Sequence, residues 1–133
     1  MRVWIYTRLS NDDDPERDSL QNQERICREF AAQRGDQIVG QSADDNISGM
    51  NFSRRGLSQL TAAVETGRVD GVLVKDLSRL GRHRTQTALF IDYLRERGVR
   101  VVSATEGLDT FREEDDLIIG VRGLMNDYYA KDI

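Results

Sequence analysis

Three times along this chain a short apolar segment gives way to a longer amphipathic one that stops at a glycine, Gly35, Gly67 and then Gly98. Segments that alternate in this way predict an α/β fold in which a mostly parallel sheet is flanked by helices in three layers. Val3 to Tyr6 reads as a first short strand, and Asn11 to Arg17 as a polar turn. Asp18, with Gln21 three residues later, gives a helix-start signal before a helix that ends near Gly35, with Ile26, Phe30 and Ala31 facing the core. Gln37 to Ala43 reads as a second strand and Asp44 to Arg55 as a polar loop. Leu57, Leu60, Thr61 and Val64 fall at helical spacing before Gly67, and Gly71 to Lys75 reads as a buried strand. A third helix, Thr85 to Arg97, sets Phe90, Ile91 and Leu94 on one face, and Arg100 to Ala104 reads as the fourth strand. Leu117 to Ile133 carries an apolar stripe wide enough for burial on two sides, the expected start of a long helix that contacts a partner subunit; an ordinary core helix fits the same periodicity.

At 133 residues and 15.2 kDa the chain suits one domain. No apolar run reaches the roughly 20 residues that cross a bilayer, so a cytoplasmic protein with no membrane partner is expected. The single Cys27 has no partner for a disulfide and reads as a core thiol. The formal net charge of −4 counts against a nucleic-acid binder, unless affinity for DNA resides elsewhere. The chain stops at Lys131-Asp132-Ile133 inside an apparent helix, so residues 1–133 are expected to be one domain of a longer protein.

The turn after the first strand carries most of the functional information. Ligands of open α/β sheets bind beyond the carboxyl ends of strands, which is where Tyr6-Thr7-Arg8-Leu9-Ser10 falls. Nucleotide sites place glycines there, and this chain has none before Gly35. It offers instead a hydroxyl two residues from a guanidinium. The one histidine, His83, lies between Arg82 and Arg84, where like charge disfavours a neutral imidazole base for a serine triad. Arginines suit phosphoryl chemistry, because planar guanidinium groups clamp equatorial oxygens in paired hydrogen bonds. Arg8, Arg54, Arg79 and Arg82 are spaced to build such a clamp; the plainer alternative is solvated arginines paired with some of the 23 acidic residues.

Together with Tyr6 to Ser10, the segments Ser19-Leu20-Gln21-Asn22-Gln23, Ser48-Gly49, Arg54-Arg55-Gly56-Leu57 and Leu77-Ser78-Arg79-Leu80-Gly81-Arg82 resemble, in order and spacing, the catalytic-domain motifs of the resolvase and invertase family of serine recombinases. Glu106-Gly107-Leu108-Asp109 and the ending from Asn126 to Asp132 look more like the large serine recombinases of transposons and phage integrases. The resemblance implies a resolvase-like catalytic domain, an N-terminal unit whose DNA-binding C-terminal region lies outside these residues. It implies a reaction with no cofactor, metal or ATP, in which Ser10 attacks a DNA phosphodiester to form a 5′-phosphoserine linkage and religation reverses the step. It further implies that Arg8, Arg79 and Arg82 surround the phosphate, that Arg54 supports it from the loop, and that Tyr6 and Gln23 position the nucleophile or its neighbours. Ser48 and Asp76 have supporting places. The implied partners are double-stranded DNA at specific recombination sites and further copies of the chain, as dimer and tetramer. Ser78 departs from the family pattern, which commonly has an acidic residue there; the expectation is that Ser78 caps a helix.

Other features read more plainly. Asp12-Asp13-Asp14 is expected to be a solvated loop, its consecutive side chains diverging rather than gathering on a metal. Trp4 and Tyr6 are read as dividing between core and cleft. Two rival classes stay open: a metal-dependent nuclease or phosphatase using Asp12 to Asp14, and a non-catalytic α/β interaction module.

Overall fold

The structure, a computed structural model, describes residues 1–46, 54–81, 84–112, 114 and 115. Its elements in chain order are β1 (Arg2–Leu9), α1 (Leu20–Arg34), β2 (Gln37–Asp45), α2 (Arg55–Glu65), β3 (Gly71–Val74), a 3-10 turn (Leu77–Arg79), α3 (Arg84–Glu96), β4 (Arg100–Ser103) and β5 (Leu108–Asp109). The sheet order is β2-β1-β3-β4-β5, with every pairing parallel except β4 with β5. The expected α/β sandwich is therefore present, with a short antiparallel edge strand that the sequence reading lacked. The expected helix from Leu117, together with Ser48, Arg82 and His83, lies outside the described residues.

Alternation along the strands makes the two faces of the sheet. Val3, Ile5, Leu73 and Val102 pack with Cys27 and Ala31 of α1, while Tyr6, Val72, Val74 and Val101 pack with Leu60 and Val64 of α2 and Ile91 and Leu94 of α3. One helix covers one face and two cover the other. Leu60 is fully buried, and truncating such a side chain to alanine costs about 2–5 kcal/mol. Trp4 joins the same cluster as Tyr6, because residues two apart on a strand share a face. Their expected division between core and cleft is thus wrong.

Helix ends follow local chemistry. The N-cap of α1 is Ser19, whose Oγ accepts from the Asn22 N–H at 3.1 Å; the start signal assigned to Asp18 belongs one residue later. Gly35 closes α1 with φ +76°, a left-handed conformation that any side chain would strain. The expected loop from Asp44 is also corrected. β2 runs through Asp45, and Asp44 is 2% exposed.

Candidate active site

Beside β1 the strand order reverses, since β2 lies on one side and β3 on the other. At such a switch point the chain segments leaving the two strands part and open a crevice. Arg8 and Ser10 come to it from the end of β1, and Asp76, Ser78 and Arg79 from the segment after β3.

A ladder of polar contacts fixes the β1 wall from beneath. The Trp4 Nε1–H donates to Ser42 Oγ at 2.9 Å, and the Ser42 hydroxyl donates to the Gly56 carbonyl at 2.7 Å. One step further along, the Tyr6 hydroxyl donates to Asp44 Oδ2 at 2.7 Å, while Asp44 accepts from the backbone N–H groups of Gly56 and Leu57 at 2.7 and 3.1 Å. Burial, reinforced by the bond to Asp44, pushes the Tyr6 phenol above its ordinary range. Through Asp44, Tyr6 thus holds the first turn of α2, and with it Arg54 at the N-cap. Gly56 is needed for this seat, because a Cβ there would lie 2.6 Å from the Ala43 carbonyl oxygen. Arg54 is exposed and lies within electrostatic range of both Tyr6 and Arg8.

Gln23 is fully buried and docks α1 on the end of β1. Its Oε1 accepts from the Arg8 N–H at 3.2 Å, and its Nε2 donates to the carbonyls of Arg8 and Asp18 at 2.9 and 2.7 Å. Gln23 therefore sets the backbone from which Arg8 and, two residues on, Ser10 project.

The two buried arginines differ sharply in company. Arg79, 3% exposed, donates from Nη1 to Asp13 Oδ2 at 2.7 Å and to the Arg8 carbonyl at 2.9 Å, and from Nη2 and Nε to Asp76 Oδ2 at 3.2 and 3.3 Å. Asp18 lies 3.6 Å from it. Although burial alone would lower its pKa, Asp76 and Asp13 raise it above the ordinary arginine value. Arg8, 7% exposed, donates from Nη2 to the Ser78 carbonyl at 2.6 Å, and its Nε is buried with no hydrogen-bond partner. Among the described residues no carboxylate pairs with it. Burial lowers its pKa, and repulsion from Arg54 and Arg79 adds to this against the attraction of Tyr6 and of Asp13.

Several residues that matter here were misread or passed over in the sequence. Asp13 is not a solvated loop residue: one carboxylate oxygen accepts from the Ser10 N–H at 2.9 Å and the Ser10 hydroxyl at 3.3 Å as well as from Arg79. Its position three residues after Ser10 was the available signal, because the Asp13 N–H closes a turn on the Ser10 carbonyl at 3.1 Å. Asp14 turns away and accepts from the N–H groups of Glu16 and Arg17 at 2.9 and 3.1 Å. Ser78 is not the helix cap either. Asp76 is, accepting the Ser78 N–H at 3.1 Å and the Ser78 hydroxyl as well. Lys75 is buried and pairs with Asp18, whose carboxyl is held well below the usual range; burial opposes this, but hydrogen bonds from Lys75, Arg17 and the Asp14 N–H prevail. Glu106 accepts from the Leu77 N–H at 2.9 Å and braces the same turn from the loop after β4.

A hydroxyl and two buried guanidinium groups thus meet at the switch point of a doubly wound α/β sheet. Comparison with known proteins agrees. The family model described as "Resolvase, N terminal domain" matches residues 3–133. Transposon Tn3 resolvases of Escherichia coli and Klebsiella pneumoniae are each 30% identical to the chain over 121 residues. That match covers 91% of this chain, which spans 60% of the resolvases' own length. The N-terminal catalytic domain of TP901-1 integrase superposes with a TM-score of 0.77 at 25% identity, covering 98% of both chains. A resolvase-family site-specific recombinase from Streptococcus pneumoniae shares the fold with a TM-score of 0.76 at 23% identity, over 99% of this chain and 89% of its own. The chain belongs to the resolvase N-terminal domain family of serine recombinases.

Proposed function

We propose that this chain is the catalytic domain of a site-specific DNA recombinase in which Ser10 is the nucleophile. The observation that carries the reading is Arg8: a guanidinium buried at the switch point, two residues from Ser10, with an orphaned Nε and no carboxylate bonded to it among the described residues, Asp13 attracting it only at longer range. A buried cation with no anion bonded to it is costly, and a phosphodiester supplies both a contacting charge and the missing acceptor. Arg79 and Arg54 flank the same position, and Arg82 is assigned beside them on its motif. In the cleavage step the Ser10 oxygen bonds to phosphorus, the bond from phosphorus to the 3′-oxygen breaks, and that oxygen leaves as a 3′-hydroxyl. One ester is exchanged for another, so the energy of the bond is retained for rejoining.

The partners proposed are double-stranded DNA at recombination sites and further copies of the chain, in a dimer that assembles to a tetramer. The metal-dependent alternative finds no support in the placement of side chains. Asp13 and Asp14 point to different partners, and among the described residues no group of three or more acidic, histidine or cysteine side chains is placed to hold an ion.

The test uses the full-length protein with its recombination sites and a denaturing gel that reveals protein joined to a 5′ DNA end. The expected adduct forms in chelator, is abolished by Ser10→Ala and survives His83→Ala. A folded, DNA-bound protein that forms no adduct overturns the assignment.

A further inference from the structure

We infer that Asp13 is the catalytic base that takes the proton of the Ser10 hydroxyl, and the acid that returns it when the DNA is rejoined. This rests on the reading of Ser10 as nucleophile given above. A serine hydroxyl attacks well only when an acceptor stands ready for its proton. Gln23 is committed to the Arg8 backbone and Tyr6 to Asp44. Asp13 Oδ2 is the acceptor that the Ser10 hydroxyl has, at 3.3 Å, and the same oxygen is tied to the Ser10 N–H at 2.9 Å. Catalytic hydrogen bonds are often long before substrate binds and tighten afterwards.

Arg79 gives the arrangement a way of being armed by DNA. In the free protein its Nη1 donates to Asp13 Oδ2 at 2.7 Å, which holds the carboxylate in place and occupies the oxygen that the Ser10 hydroxyl also uses. Phosphate oxygens compete for that guanidinium as the backbone docks. Oδ2 then loses a cationic donor while keeping the serine. Asp13 accepts the proton as the Ser10 oxygen bonds to phosphorus, and the departing 3′-oxygen takes its proton from solvent. In rejoining, the 3′-hydroxyl gives its proton to solvent, attacks phosphorus, and the released Ser10 oxygen recovers the proton from Asp13.

The experiment measures the rate of covalent adduct formation by the full-length protein on a recombination site nicked near the scissile bond. Asp13→Asn keeps the shape and the acceptor for the Ser10 N–H, so binding to the site in a gel shift is expected to hold while adduct formation slows by roughly 10²–10⁴-fold. Asp13→Gly opens space for a small carboxylate, and added formate or acetate is expected to restore the rate in proportion to its concentration, which a folding defect would not show. Adduct at the parental rate in Asp13→Asn, or Asp13→Gly unmoved by formate, overturns the inference. A faster Asp13→Asn also overturns it, reducing Asp13 to a competitor of phosphate for Arg79. Adduct persisting in Ser10→Ala would sink the nucleophile itself, whereas loss of adduct in Ser10→Ala with a full rate in Asp13→Asn would sink the base alone.

Discussion

Arg79 and Arg8 are almost equally buried on opposite walls of one crevice, yet among the described residues Arg79 is bonded to carboxylates and Arg8 is bonded to none. The contrast separates a charge already engaged with partners in the chain from one that lacks a bonded anion. Arg79 binds the loop after β1 to the turn after β3 through Asp13 and Asp76. Arg8 is kept in place by its backbone, through Gln23, and by the Ser78 carbonyl, and its Nε has no acceptor.

The sharpest way to break this contrast is to remove each charge. Arg79→Met strands the half-buried carboxylates of Asp13 and Asp76, and the stability measured by urea unfolding is expected to fall by about 3 kcal/mol, the lower end of the loss when one partner of a buried pair is removed. An unchanged midpoint would mean the acids are well solvated. Arg8→Met removes a charge to which no described carboxylate is bonded, so the thermal midpoint is expected to hold or rise. DNA cleavage should drop by roughly 10²–10³-fold, the usual cost of losing a transition-state donor. If the Arg8 variant melts well below the parent, the two arginines are structurally alike. Tyr6→Phe tests whether the ladder beneath the β1 wall merely packs or also orients: about 1–2 kcal/mol of stability is expected to go with the buried hydrogen bond to Asp44. Double variants with Asp44→Asn should be less than additive.

The smallest effect is in pH. Asp18 is held below its ordinary range in the folded chain, so its contribution to stability is present above the unfolded value of about 4 and is lost as pH falls through the folded one. Urea titrations are expected to show a decline on the order of 1–2 kcal/mol below about pH 4, and the gap between the parent and Asp18→Asn should narrow over the same interval. A gap that stays constant would show that Asp18 does not titrate with folding.

The alternation of apolar strands with glycine-terminated helices was legible in the sequence, because period and chain reversal are local properties. β5 was not, since two residues carry no period. At the site, Arg8 and Arg79 were singled out by spacing and Tyr6 and Gln23 by the family resemblance; the structure sets Arg79 on the Arg8 carbonyl, with Tyr6 bonded to Asp44 and Gln23 buried against the Arg8 backbone. Their partners were harder to find. Asp44 looked like the first residue of a polar loop, and only pairing with β1 reveals a buried strand residue. Asp13 lies in a run of acids whose composition favours solvent, and Asp18 read as a helix start; only the basic groups arriving from the segment after β3, Lys75 and Arg79, reveal them as partners. The reading of Ser78 as a cap failed by two residues because Asp76 and Ser78 both favour caps, and the chain used the earlier one.

The seat of Gly56 against Ala43 has a consequence for the entropy of binding. A cation offered from a free loop must be immobilised when its ligand arrives, and that loss is subtracted from affinity. Here the first turn of α2 lies against the backbone of the edge strand and is bonded to Asp44 and Ser42 before any ligand is present. The ordering of the backbone at Arg54 is complete when the chain folds, so only its side chain remains to be ordered on contact with phosphate.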